Sequence, residues 1–412
     1  VAVRKIFPRA SKALFYVSVA LTLALAPDAS GRGWREEVAA LAGRGAVVVA
    51  DSGGKVHLSL HEKTAFVPAS VLKIFTAAAA LDALGPDYRF QTVFRLTPGG
   101  DLLVSGRGDP HLVSEEVSRI AREIHSRGLR EIRDILLDNS YFSPGLVLHG
   151  TNRSLNPYDA YNGALCVNFN TVKVRAGAKG KIESAEPQTP LTPLAVRSAR
   201  ECGLSGEFRI NLSESPGRCL LYAGEILQAF LEEEGIRVAG ESRTSDVDPS
   251  QCRELYTHSS SWTLGELVEK MFTYSNNFMA NQIFLALGAA RYGPPATAEK
   301  ARAAVQAYLE KIGVTGVHVE EGSGLSRRTK ITAGQMIGVL EHFRPYRRLL
   351  GCEQNACYKT GTLSDVKSMA GYLTPVNGDP YSFVILLNGR ATSSATRKRL
   401  LSLLRDRFTG ID

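Results

Sequence analysis

Pro68-Ala69-Ser70-Val71-Leu72-Lys73 leads into an almost wholly apolar run, through Ile74, Phe75, the alanines at 77–80 and Leu81, that stops at Gly85-Pro86. Gly-Pro is a strong helix terminator, so this run is expected to be a helix. A helix without a polar face is normally buried. Ser70 and Lys73 then sit at the N-terminus of a core helix, and at i and i+3 they share one side of it. That placement suits a nucleophile and a base. Burial lowers the pKa of an ammonium, and a neutral lysine amine can accept a serine proton. Taken alone, S-x-x-K favours a plainer reading, a serine N-cap followed by an ordinary lysine.

Two downstream motifs reverse that preference. Ser275-Asn276-Asn277 follows Lys270-Met271-Phe272-Thr273-Tyr274, and Lys359-Thr360-Gly361-Thr362 opens a strand segment. Each is weak by itself, since S-x-N is usually a turn or cap and K-T-G a strand start. Their order after S-x-x-K is specific. With S-D-N as the middle member, the set marks class A β-lactamases and penicillin-binding proteins.

Outside these motifs, the two ends of the chain and its middle differ in texture. Trp34 to Ala42 reads as a helix. Ala46–Ala50 and Val56–Leu60 read as strands joined by Asp51-Ser52-Gly53-Gly54-Lys55, a hairpin signal. Near the other end, Ser368–Thr374 and Tyr381–Leu387 flank Asn377-Gly378-Asp379, and a helix is expected from Ser394 to Phe408. Hairpins and helices at both ends can close one antiparallel sheet. In the middle, Leu102–Ser105, a helix over Val117, Ile120, Ala121 and Ile124, and Ile132–Leu137 give a strand–helix–strand order, the mark of an α/β insert. Lys173 to Pro193 reads as irregular chain or short strands, and Leu221 to Glu234 as an amphipathic helix. Arg107-Gly108-Asp109 spells an adhesion tripeptide but is read as a turn.

The 412 residues are long enough for two or three domains. A hydrophobic fraction of 44% and a charged fraction of 22% are those of a soluble globular protein. The net charge of +8 is spread along the chain, and no nucleic-acid motif accompanies it, so no nucleic-acid partner is expected. Arg4, Lys5, Arg9 and Lys12 precede the charge-free, mainly apolar run Ala13 to Ala26, which is short for a spanning helix and right for a secretory signal. Residues 1–30 are therefore expected to be a signal peptide, and the protein periplasmic or otherwise extracytoplasmic. A leader retained as an anchor would add peripheral membrane contact. Export permits disulfides among the cysteines at 166, 202, 219, 252, 352 and 357. The pairs closest in sequence, Cys202–Cys219 first and Cys352–Cys357 second, are expected. No C-x-x-C pair occurs, and the histidines form no ligand-spaced cluster with the cysteines, so no metal and no cofactor is expected.

The chain resembles the low-molecular-mass class C penicillin-binding proteins, the D-alanyl-D-alanine carboxypeptidase/endopeptidase family. The similar stretches are Pro68–Lys73, Leu84-Gly85-Pro86-Asp87-Tyr88-Arg89-Phe90, Gly106-Arg107-Gly108-Asp109-Pro110, Asn168-Phe169-Asn170, Ser275-Asn276-Asn277, Gly322-Ser323-Gly324-Leu325-Ser326-Arg327 and Lys359–Thr362. The resemblance implies an α+β fold, with a penicilloyl-serine-transferase (serine β-lactamase-like) domain of antiparallel sheet and helices. That domain is expected over residues 31–95 and 255–412, interrupted by an α/β insert over 96–254. It implies that Ser70 attacks the carbonyl of a D-Ala-D-Ala amide of a peptidoglycan stem peptide, with Lys73 as base. Ser275 relays a proton to the leaving amine, and Asn277 bonds the substrate amide and the lysine. Lys359, helped by Thr360 and Thr362, meets the substrate carboxylate, and Gly361 keeps the strand free of a side chain. The backbone N–H groups of Ser70 and Thr362 are the oxyanion-hole candidates, and Ser323 and Arg327 match the substrate side. β-Lactams are the implied inhibitors.

Two positions depart from the family pattern. Ala280-Asn281 stands where an Ala-Glu pair is usual. Arg153 stands where some members carry an acid for the diamino-acid side chain. Two other readings remain. A serine β-lactamase or esterase needs a base for fast deacylation, and no Glu is placed for it by motif. A non-catalytic penicillin-binding wall protein needs no intact motif side chains, yet all are present.

Overall fold

The structure, a computed structural model, describes residues 33–410 apart from 152, 153 and 214. The expected leader and Arg153 lie outside the described residues. Among the described residues no helix is long and apolar enough to cross a membrane.

Both ends of the chain build one six-stranded sheet. Its order is Cys352–Glu353, Ala356–Leu363, Val366–Leu373, Tyr381–Asn388, Ala46–Ala50 and Val56–Leu60, antiparallel throughout. The strand Ala46-Val47-Val48-Val49-Ala50 is buried on both faces because helices cover both. Alternation sends Val47 and Val49 to one side, where the helices Gly33–Ala42 and Ser394–Phe408 pack through Val38, Leu400 and Leu404. Ala46, Val48 and Ala50 face the other side and the larger core, built from the helices Lys73–Leu84, Leu264–Thr273, Asn277–Tyr292, Ala298–Lys311 and Ala333–Phe343.

Lys73–Leu84 crosses the middle of that core. Every residue from Lys73 to Leu81 is buried, and Gly85, at φ 82°, ends the helix as Gly85-Pro86 predicts. The start differs from a simple α-helix. Ala69–Leu72 is a 3₁₀ turn, in which residues three apart eclipse each other. Ser70 and Lys73 are therefore stacked more directly than an α-helical turn would place them.

A second core holds the middle of the chain. Its five-stranded sheet runs Ser242–Thr244, Ile135–Asp138, Leu102–Gly106, Gln91–Leu96 and Arg253–Ser259. The first three strands are parallel and the last two antiparallel. The helices Ser114–Ser126 and Pro216–Glu233 cover it with Val117, Ile120, Ile124, Ile226 and Phe230. The expected insert limits, residues 96 and 254, fall within the paired strands Gln91–Leu96 and Arg253–Ser259. A smaller sheet of Gly206–Asn211, Thr171–Ala176 and Ile182–Ser184 completes this region.

Cys352 and Cys357 form a disulfide across the hairpin at the sheet edge. The expected Cys202–Cys219 bridge is absent, and both thiols are free. Nearness in sequence misled here. Cys202 ends the helix Pro193–Cys202, while Cys219 is buried in Pro216–Glu233 with its thiol on the Leu212 carbonyl. The Arg107-Gly108-Asp109 turn buries its acid at 3% exposure, which removes it as an adhesion site.

Candidate active site

Ser70 lies where the 3₁₀ turn meets the Ala356–Leu363 strand and the 322–328 loop. Ala69, just before it, is held at φ 51°, a left-handed conformation costly for a residue with a Cβ. Two glycines let the backbone crowd this turn. A Cβ on Gly324 would stand 2.0 Å from the Ala69 carbonyl oxygen. One on Gly361 would stand 2.2 Å from Ser368 Oγ and 2.9 Å from the Ser70 nitrogen. Gly361 therefore lets the strand pack against the Ser70 turn.

Lys73 is fully buried, and its ammonium makes three bonds. Nζ lies 3.1 Å from Ser70 Oγ and donates to Asn277 Oδ1 at 2.7 Å and to the Ser323 carbonyl at 2.7 Å. Burial lowers its pKa to about 7; the Glu321 carboxylate opposes this and the Lys359 ammonium adds to it. The pair thus has the geometry and the proton affinity of a nucleophile and its base.

The S-x-N turn combines its plain and its chemical reading. Asn276 caps the helix Asn277–Tyr292 by accepting from the Met279 N–H at 3.0 Å. Ser275 sits at φ 51°, and Ser275 and Asn277 border the cleft with Ser70. The segment at residues 162–163 clamps this helix in place. Asn162 donates to the Phe278 carbonyl and to Gln282 Oε1, and Gln282 donates back to the Gly163 carbonyl, each at 3.0 Å.

On the strand side, Thr362 lines the cleft, whereas Lys359 is 5% exposed behind it and Thr360 is half-buried. Among the described residues no acid pairs with Lys359. Burial and then the Arg397 guanidinium lower its pKa to about 8. Arg397 comes from the C-terminal helix and is itself buried. It donates to the Gly361 carbonyl at 2.9 Å, to Thr362 Oγ1 at 3.2 Å and to the Ser368 carbonyl at 3.2 Å.

The remaining sequence candidates divide. Ser323 is wholly buried, and its part in the site is the carbonyl that holds Lys73. Arg327 stands on the cleft rim, tied to Asp365 at 2.6 Å and to Ser364 at 3.0 Å. Arg397, Glu321 and His149 are contributors that no sequence motif marks, and Asn281 is marked only as a departure from the family pattern. The Glu321 carboxylate accepts from the N–H groups of Ser323, Gly324 and Ser326 and from Ser323 Oγ. Asn281 Oδ1, at the place of the usual glutamate, accepts from the Gly322 N–H at 2.8 Å. Together they shape the loop whose carbonyl holds Lys73. His149 reaches Glu320 at 3.3 Å and Arg328 at 3.1 Å at the border of the cleft, a volume of about 840 Å³. A lone histidine or asparagine carries no sequence signal for such a role.

A serine in contact with a buried lysine, beside an S-x-N turn and a K-T-G strand at the edge of a helix-covered antiparallel sheet, is the pattern of the acyl-serine class that includes β-lactamases and penicillin-binding proteins. The family profile of D-Ala-D-Ala carboxypeptidase 3 (S13) matches residues 37–201 and 217–348, and the chain belongs to that family. It is a low-molecular-mass class C penicillin-binding protein and a serine-type D-Ala-D-Ala carboxypeptidase. Among curated relatives, D-alanyl-D-alanine carboxypeptidase DacB of Haemophilus influenzae is 27% identical over 81% of this chain and 83% of its own length. The D-alanyl-D-alanine carboxypeptidase of Actinomadura sp. (strain R39) is 27% identical over 84% and 78%. The crystal structure of penicillin binding protein 4 (dacB) from Haemophilus influenzae superposes with a TM-score of 0.74 at 23% identity, covering 91% of this chain and 98% of that one. At that identity the superposition speaks for the α+β fold.

Proposed function

We propose that the protein is an exported D,D-peptidase that cleaves peptidoglycan stem peptides through an acyl-enzyme on Ser70, as carboxypeptidase, endopeptidase or both, and that β-lactams inhibit it. The observation that carries this reading is the 3.1 Å contact between Ser70 Oγ and a buried Lys73 whose pKa is about 7. Neutral Lys73 takes the Ser70 proton as Oγ bonds to the carbonyl carbon of the penultimate D-Ala. The oxyanion is met by the backbone N–H groups of Ser70 and Thr362, and loss of one such donor typically costs about 10²–10³ in rate. The C–N bond breaks, and the proton passes from Lys73 through Ser275 to the leaving amine. Water then hydrolyses the ester. Lys359 supplies positive charge for the terminal carboxylate, and Arg327 borders that side of the cleft. The catalytic unit is drawn from residues 31–95 and 255–412 and the insert from 96–254, with the paired strands Gln91–Leu96 and Arg253–Ser259 crossing those limits into the insert's sheet.

The Haemophilus protein has been crystallised with a β-lactam, which supports the inhibition reading. The family's wall substrate and the basic, apolar leader at residues 1–30 support export. A reporter enzyme active only after export, fused after about residue 35, should be active. The decisive assay is release of D-Ala from a pentapeptide by purified protein. Steady release that stops on adding penicillin supports the proposal. Rapid penicillin turnover without D-Ala release would instead make the protein a β-lactamase.

A further inference from the structure

A second cavity, of about 650 Å³, lies on the other side of the Ser275–Asn277 turn from the catalytic cleft. The two share a wall. Ser275 and Asn277 border the cleft, while Tyr274, Asn276 and Phe278 border the second cavity. The insert closes both with one turn, Tyr158 at the cleft and Pro157 at the cavity. Its volume lies within the range of small-molecule sites, about 300–1,000 Å³.

The lining is aromatic and electrically balanced. His111 stacks on Trp262 with ring centroids 3.7 Å apart and planes 14° from parallel. Phe169 meets Phe278 edge to face at 5.8 Å. Phe169 is presented by three consecutive left-handed residues, Asn168, Phe169 and Asn170, at φ 50°, 59° and 54°. Such backbone persists only where its surroundings over-determine it. Here Asn168 bonds Ser114 and Tyr222, and Asn170 bonds the Tyr161 carbonyl. Glu186 is paired with Arg209, Glu115 is matched by Lys270, and burial holds His111 towards its neutral form. The cavity therefore carries no net charge with which to select an ionic peptide terminus.

We propose that this cavity is an accessory subsite for a neutral N-acetylated sugar ring of the glycan strand whose stem peptide is cleaved at Ser70. The inference rests on the peptidoglycan reading of the cleft. A pyranose offers an apolar C–H face for the aromatic rings and hydroxyl and acetamido groups for Gln188. The connection is also the right length. An extended chain covers about 3.3–3.6 Å per residue, so the four residues between the scissile bond and the sugar cross about 13–14 Å, more than a wall one backbone thick.

The test compares a disaccharide-pentapeptide with the sugar-free pentapeptide, and measures binding of di-N-acetylchitobiose by calorimetry. Trp262→Ala removes the stacking platform. Gln188→Trp fills the cavity from an exposed position and keeps the test independent of core packing. Wild type should bind the chitobiose and favour the sugar-bearing substrate at least tenfold in kcat/KM. Both variants should lose the binding and bring the ratio to within twofold of one, chiefly through KM. Absence of chitobiose binding by wild type, or an unchanged ratio in both variants, would overturn the proposal. Competition by a charged tripeptide but not by the sugar would overturn it equally. Penicillin acylation, followed in parallel, reports on the cleft alone. Failed sugar binding with acylation intact removes the subsite and leaves the peptidase standing. Failed acylation with sugar binding intact does the reverse.

Discussion

In the proposed reaction two buried lysines set the chemistry at the scale of the residue. Lys73 must be neutral to accept the Ser70 proton, and with a pKa of about 7 it becomes so as pH rises through neutrality. Lys359 must be charged to meet a carboxylate, and with a pKa of about 8 it loses that charge just above. Acylation of a carboxylate substrate should therefore follow a narrow bell, rising through about pH 7 and falling through about pH 8, as apparent values of a coupled pair. A carboxylate-blocked substrate should keep the acid limb and lose the alkaline one. Lys359→Ala should acylate much more slowly with carboxylate substrates, with little change in melting temperature. The same Lys73 shift carries a stability sign. Between about pH 7 and 10.5 the unfolded chain holds more protons than the folded one, so the destabilisation from burying the Lys73 ammonium is full below about pH 7 and is relieved as pH rises through that window. Arg397 adds a further prediction. In Arg397→Gln the Lys359 pKa should rise and the alkaline limb move up, with acylation slowed about tenfold as the Gly361–Thr362 backbone loses its anchor. Arg397→Lys should restore the limb. A drop in melting temperature with no movement of the limb would reduce Arg397 to a structural role.

The helix and strand that meet at Ser70 depend on each other's close approach. Gly361→Ala forces a Cβ against Ser368 Oγ and the Ser70 nitrogen. Overpacking of this kind costs about 1–3 kcal/mol. The variant should melt lower and lose most acylation, because the strand can yield only by leaving the nucleophile. Normal acylation by Gly361→Ala would show that the contact is slack. The edge hairpin with Cys352–Cys357 makes a separate claim about thiols. Protein denatured without reductant should titrate four thiols, and six after reduction, since Cys166, Cys202, Cys219 and Cys252 are free. In the native state Cys166 and Cys219 should be silent, because burial raises both thiols. Two thiols in the denatured, unreduced protein would mean that a second bridge forms.

Across the whole molecule, local signals were legible where the period was clean and contacts between distant parts were not. The strands Ala46–Ala50 and Val56–Leu60, the helix Ser394–Phe408 and the stop at Gly85 read directly from alternation, heptad-like spacing and turn residues. Ile132–Leu137 did not, because Arg133 and Asp134 turn the chain out between two short strands, Glu131–Ile132 and Ile135–Asp138. In the candidate site, Ser70, Lys73, Asn277 and Lys359 carry a sequence signal because their motifs form an ordered set, and the fold brings them together. Glu321 and Arg397 carry none, since each acts through backbone hydrogen bonds across the fold, where no spacing rule applies. The insert reaches the site in the same way, through Asn162 and His149. The central claim, that these distant segments assemble one acylating serine, has a direct test. The protein is incubated with penicillin, and its mass and the modified peptide are determined. The account predicts one covalent adduct, on the peptide containing Ser70, absent from Ser70→Ala and strongly slowed in Lys73→Met, since a positioned base is typically worth about 10²–10⁴ in rate. An adduct on another residue, or one that persists undiminished in Ser70→Ala, would contradict it.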